Sequence, residues 1–196
     1  MANRREFIQA GAAMAATALP ALSAITGIGG SLLLYKVIYD QRFAAARSFG
    51  AAAKDLNASV QAIEGDVHDL WYHDLYHRWK AAPSAIAGMT AYNPMFLLAM
   101  FAQDAGMRLI YRTNHRQGQD GAMAHEQFGP KTQQHRQLAL RGSESQWGAV
   151  AAQTVLSWPA DAVSLSAVHS DIADANRKMV GAETLLSWII APVRRG

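Results

Sequence analysis

The feature that most constrains this chain is a rhythm between residues 31 and 113. Short apolar runs with β-branched and aromatic residues alternate with longer stretches at helical spacing. Ser31 to Asp40 (SLLLYKVIYD), Ser59 to Ile63, Ser84 to Met89 and Met107 to Thr113 (MRLIYRT) read as strands. Gln41 to Leu56, Asp66 to Lys80 and Pro94 to Ala105 read as helices between them. Breakers fall at the joints: Asn57, Gly65, Pro83 and Gly106, with Asn93-Pro94 as a cap followed by a first-turn proline. Strand and helix in alternation predict an α/β fold. The expectation is a single domain over residues 31–196. Its mostly parallel sheet would have about four to five strands flanked by helices. The helix at Pro94 to Ala105 is apolar nearly all round, which predicts deep burial.

The rhythm breaks at residue 114. Residues 114–143 are polar and rich in Gln, Gly and His, and predict a loop or arm. Ser143 and Gln146 have capping-box spacing before a helix from Glu144 to Ser157. Ser170 to Met179 is a candidate helix, and Thr184 to Ala191 (TLLSWIIA) predicts a last strand. The basic tail with Arg194 and Arg195 reads as solvated.

Chemistry concentrates in Asp66 to Lys80 (DVHDLWYHDLYHRWK). At helical period, Val67, Leu70, Trp71, Leu75 and Trp79 form a core-facing stripe. Asp69, Tyr72, His73, Tyr76, His77 and Lys80 fall on the opposite face. Tyrosines that face outward suit a protein partner, because such side chains dominate the energetic centres of interfaces. Tyr72, His73, Tyr76, His77 and Lys80 are therefore the candidate interface. The competing reading packs this face beneath residues 114–143 of the same chain. A metal reading rests on His73 and His77, one turn apart, with Asp69 a turn further back. It needs a third ligand, for which His115, His125 and His135 are available.

A second location follows from topology. Open α/β sheets bind ligands outside the carboxyl ends of their strands. Those ends carry Asp40, then Glu64, Asp66 and His68, then Thr90, Tyr92 and Asn93, then Arg112 and His115. His68 as general base with Asp66 nearby, and Arg112 as an anion clamp, make the catalytic alternative. The turn after the first strand, Tyr39-Asp40-Gln41-Arg42, lacks glycines, so neither a dinucleotide fingerprint nor a P-loop is present. The chain has no G-x-S-x-G elbow.

Composition narrows the partners. The chain has 196 residues, no Cys and a formal charge of +3. Its Lys and Arg are dispersed, which argues against nucleic acid. The first residues, Arg4-Arg5-Glu6-Phe7-Ile8, precede an Ala-rich, weakly apolar run to about Ile25. Arg4, Arg5, Phe7 and Ile8 resemble the twin-arginine (Tat) signal of bacterial exported proteins over residues 3–25. The run is too weakly apolar for a permanent membrane span. The resemblance implies a signal region at 1–25, recognition by the Tat translocase, periplasmic location and folding before export. Proteins use that route when they carry a cofactor or bind a partner that does. In size and signal the chain looks like the small Tat-bearing subunits found beside periplasmic flavin dehydrogenases. The resulting expectation is an exported accessory subunit without a cofactor of its own and without catalysis of its own. It would bind a larger oxidoreductase subunit whose cofactor is one such as flavin. The alternative is a periplasmic α/β enzyme or small-molecule-binding protein with its site at the strand ends.

Overall fold

A computed structural model of the protein describes residues 30–117, 122–133, 136, 140, 146–162 and 184–193. The strands are β1 (Leu34–Asp40), β2 (Val60–Ile63), β3 (Ala85–Thr90), β4 (Met107–Gln117), β5 (Met123–Phe128) and β6 (Leu185–Pro192). The helices are α1 (Ala44–Asp55), α2, α3 (Tyr92–Asp104) and α4 (Trp147–Leu156). Helix α2 runs unbroken through His68–Leu70, a π-helical turn at Trp71–Leu75, and Tyr76–Ala81.

Among the described residues one sheet holds six strands in the order β2-β1-β3-β6-β4-β5. Only β2-β1 and β1-β3 pair in parallel, while β3-β6, β6-β4 and β4-β5 pair antiparallel. The α/β expectation therefore holds, but the sheet is mixed rather than mostly parallel, and it has one strand more than the sequence suggested. Strand β6 causes the change. Leu185 to Ala191 are all buried, so both faces of this strand need cover and it cannot sit at an edge. It enters between β3 and β4 and runs against both. Residues 114–143 are not simply an arm either. Strand β4 continues to Gln117, and β5 turns back beside it, with His115 opposite His125.

Helices cover both faces of the sheet. On one face α1 and α4 bury Phe49, Ala53, Trp147, Ala151 and Val155 against Val37, Ala87, Met89 and Ile189. The two helices meet through small residues. A side chain on Gly148 would lie 2.4 Å from the Ala45 carbonyl oxygen, so only glycine permits this approach. On the other face α2 and α3 bury Leu75, Trp79, Met95 and Leu98 against Ile38, Ile86, Leu186, Trp188 and Ile190. Helix α3 begins at Tyr92 with Ala91 as its cap residue, so the Asn93-Pro94 pair lies inside the first turn. It is also less buried than its composition predicts. Its inner side reaches the sheet, while Phe96, Leu97 and Met100 face outward. A helix on the outside of a sheet has one side to bury, whatever its composition.

The signal-like residues Arg4, Arg5, Phe7 and Ile8 lie outside the described residues, as do His135, Ser143, Ser170 to Met179 and the Arg194-Arg195 tail. Among the described residues, no helix is long and apolar enough to cross a membrane.

Candidate functional site

Helix α2 presents the two faces that its periodicity predicts. Val67, Leu70, Leu75 and Trp79 are buried, and Trp71 is half-buried, stacked on Phe101 of α3 with ring centroids 4.3 Å apart. Asp69, Tyr72, His73, Tyr76, His77 and Lys80 are all exposed. Tyr72 is 60% exposed and Tyr76 39%. The outward side of α3 adds Phe96, Leu97 and Met100, at 40%, 42% and 47%. Trp71 joins the two helices, since its ring also meets Tyr76 edge-on at 5.6 Å. Tyr92 stacks on Phe96, and Lys80 lies over the Tyr76 ring. The same sheet face thus carries an outer surface rich in aromatic and aliphatic groups. Exposed apolar residues grouped in this way mark interaction sites more often than apolar residues scattered singly.

Two backbone irregularities meet behind this surface. Strand β1 bulges between Leu34 and Lys36, and α2 widens to a π turn at Trp71–Leu75. Bulges and π turns re-aim side chains. Here Asp74 accepts a hydrogen bond from the Tyr35 hydroxyl at 2.6 Å and pairs with Lys36. Burial would raise the Asp74 carboxyl, but hydrogen bonds from Lys36 and Tyr35, with the charges of Lys36 and Arg78, hold it below the usual carboxylate range.

The carboxyl ends of β1, β3 and β4 lie at one edge of the sheet, as the register of β6 between β3 and β4 requires. Most of the buried polar side chains gather there: Asp40, Thr90, Arg112, Thr113, Asn114, His115, His125 and Ser187. Each is held differently. Asp40 takes a two-pronged ion pair from Arg42, with Nε to Oδ1 at 2.9 Å and Nη2 to Oδ2 at 2.7 Å. Thr90 Oγ1 accepts from Trp188 Nε1 at 3.0 Å and donates to the Ala91 carbonyl. Arg112 lies over the Phe128 ring, and burial lowers its pKa against the opposing effect of Tyr92 and Glu126. Among the described residues the buried Oδ1 of Asn114 has no hydrogen-bond partner.

On the face covered by α4 the polar groups form a chain. Thr113 Oγ1 donates to the Tyr111 hydroxyl at 2.8 Å. Ser187 also hydrogen-bonds Tyr111, whose pKa burial raises. Ser187 Oγ lies 2.9 Å from His115 Nε2, and His115 Nδ1 lies 2.7 Å from His125 Nδ1. The two imidazoles are 1% and 6% exposed. Trp147 covers both, with centroids 4.6 Å from His115 and 5.5 Å from His125. Burial, reinforced by His125, drives the His115 pKa well below the usual histidine value, so this ring is neutral.

The sequence-derived residues therefore separate. Tyr72, His73, Tyr76, His77 and Lys80 share one exposed helix face, together with Asp69. Asp66 and His68 are exposed at the start of α2, where the Asp66 carboxylate accepts from the His68 backbone N–H at 2.9 Å and the His68 ring meets Tyr72 at a tilt, with centroids 5.0 Å apart. Arg112 is instead fully buried on β4. Glu64 accepts from Gln41 Nε2, and Asn93 is exposed. Among the described residues no group of three His, Cys, Asp or Glu is placed to hold a metal, so the pair His73 and His77, with Asp69 behind it, gains no third ligand there. The sequence marks His115 as a strand-end residue and a spare ligand and His125 as a spare ligand alone, and it gives no prominence to Ser187 or Tyr111. Ser187 carries a usable signal: a hydroxyl inside an apolar strand buried on both faces must find a hydrogen-bond partner. Comparison with protein-family models, with curated proteins and with solved structures finds no match.

Proposed function

We propose that this protein is an exported accessory subunit that docks on a larger, cofactor-bearing oxidoreductase through the outer surface of α2 and α3. The observation that carries this reading is the exposure of Tyr72 and Tyr76 on α2 and of Phe96, Leu97 and Met100 on α3, the two helices that cover one sheet face. Tyrosine offers large contact area at small entropic cost, and the flanking His73, His77, Lys80 and Asp69 supply a polar rim. The Tat-like residues Arg4 and Arg5 supply the export half of the proposal. In this reading the cofactor, such as flavin, belongs to the partner.

The test is purification of the chain from its native host with its bound companions. A stoichiometric larger subunit should co-purify with the wild type. It should be lost from Tyr72→Ser/Tyr76→Ser, while the far-UV spectrum and melting temperature stay the same. Retention of the subunit by this variant, or a wild type that is monomeric, would refute the docking surface.

A second reading has its own observation. The buried polar residues at the carboxyl edge, from Asp40 through Thr90 to Arg112 and His115, occupy the position where sheets of this class bind small molecules. An enzyme or binding protein built on that edge would retain a small molecule on purification. The Tyr72→Ser/Tyr76→Ser variant would leave such binding unchanged.

A further inference from the structure

We propose that His115 and His125, with Met123, form a buried site for a monovalent copper ion. The site is separate from the docking surface and involves neither its residues nor its partner.

Two ring nitrogens converge on one point. Both imidazoles turn the same atom, Nδ1, toward a common point, and the nitrogens are 2.7 Å apart. With one proton between them this is a hydrogen bond. With the proton moved away, it is a pair of ligands aimed at one centre. Two nitrogens each about 2.0 Å from a metal at a tetrahedral angle stand roughly 3.3 Å apart, so the rings need to part by only about 0.6 Å.

The proton has a place to go. In the metal-free pair one ring is Nδ1–H and the other Nε2–H. Metal binding requires both to be Nε2–H, and neither ring has to lose a proton to reach that state. Ser187 makes either state acceptable for His115. Its hydroxyl, 2.9 Å from Nε2, donates when that nitrogen is bare and accepts when it is protonated. A hydrogen bond to the far nitrogen is the usual support for a histidine ligand.

The surroundings select the ion. Because no group of three His, Cys, Asp or Glu forms among the described residues, the four-ligand set of a structural zinc site is not assembled there. The next donor by position is soft. Met123 lies two residues before His125 on the same side of β5, diagonal to His115, half-buried against the same core. Imidazole together with thioether favours copper(I). A single positive charge is also easier to accommodate than a double one in so buried a site. The Trp147 ring, with its centroid within 6 Å of both imidazoles, closes the site with polarisable aromatic surface.

The experiment titrates the full chain with silver(I), a redox-inert probe of the same charge, and with copper(I) held by bicinchoninate. The His ring nitrogens are followed by long-range proton–nitrogen NMR. One silver ion should bind per chain, move the Nδ1 resonances of His115 and His125, and quench Trp147. Met123→Leu should weaken binding by at least about tenfold, without loss of fold. His73→Gln/His77→Gln should leave binding unchanged. Shifts confined to the exposed histidines, loss of binding in that surface variant, or zinc(II) occupying the pair where silver(I) does not would each overturn the proposal. Since the wild-type spectrum reads the site directly, the result does not depend on whether a His115 variant folds.

Discussion

Replacing Thr90 with Val tests how the polar edge of the sheet is held. Thr90 and Trp188 are both fully buried, and the indole N–H has Thr90 Oγ1 as its acceptor at 3.0 Å. Valine keeps the β-branched shape and removes the oxygen. The indole N–H then stays buried without an acceptor, a penalty of about 1–3 kcal/mol. Loss of the bond from Thr90 to the Ala91 carbonyl adds less, because Ala91 is only half-buried and water can replace the hydroxyl. A net cost of about 2 kcal/mol is expected, equivalent to a fall in Tm of about 4–8 °C in a chain of this size. Thr90→Ser keeps the acceptor and removes a methyl group, at about 1 kcal/mol. The decisive comparison is the double variant Thr90→Val/Trp188→Phe, in which neither partner remains. Its cost should fall short of the sum of the single costs by about 1–2 kcal/mol, measured by urea denaturation followed by circular dichroism. If Thr90→Val lies within about 0.5 kcal/mol of wild type, or if the two substitutions simply add, the hydrogen bond is not what fixes Trp188.

Three further outcomes are expected. Below pH 6.5 the unfolded chain takes up protons that the buried, neutral His115 refuses. Stability is therefore fully present above the ordinary histidine pKa and declines as pH falls toward the depressed folded value, by up to about 1.4 kcal/mol per pH unit for each proton. Urea titrations between pH 7 and 5 should show this slope, and His115→Gln should flatten it whatever its stability at neutral pH; an unchanged slope would mean that another group is responsible. At Gly88, an added Cβ would lie 2.5 Å from the Trp188 ring and 2.6 Å from the Ile38 carbonyl oxygen. Gly88→Ala should therefore cost about 3 kcal/mol or more, read as a lowered urea midpoint, and a neutral result would show that Trp188 yields easily. Asp74→Asn removes the carboxylate that Tyr35 and Lys36 share. It should lower stability by about 1 kcal/mol at pH 7, less at high salt, and a loss independent of salt would assign the effect to packing instead.

The legible parts of this fold are those in which local pattern and tertiary environment agree. Helix α2 was readable because its apolar stripe and its tyrosine–histidine face differ in chemistry, and each lies where its chemistry suggests. The strands β1 to β4 were readable because Val, Ile, Tyr and Met runs stand between clear breakers. Helix α3 misled because an apolar composition fixes neither how much of a helix finds a neighbour nor which side does. Strand β5 was hidden for the opposite reason. Met123 to Phe128 (MAHEQF) has little β-branching and no strong alternation, and it becomes a strand because β4 offers it an open edge.

The direction of β6 explains the remaining difference, and it bears on the site. Leu185 to Ala191 is apolar on both faces, which requires a central position but leaves its direction undetermined. A parallel β6 would carry its own carboxyl end to the edge where Asp40, Thr90 and Arg112 gather. Running antiparallel, it brings its first half there, with Ser187 level with Met89 and Thr113. That reversal places the hydroxyl of Ser187 against His115, which β4 has carried to the same edge, while β5 returns to set His125 opposite. The His115–His125–Ser187 cluster therefore depends on two antiparallel pairings that strand-and-helix alternation does not encode. Its residues are individually visible in the sequence as two histidines and a lone serine, but their convergence is a property of strand order.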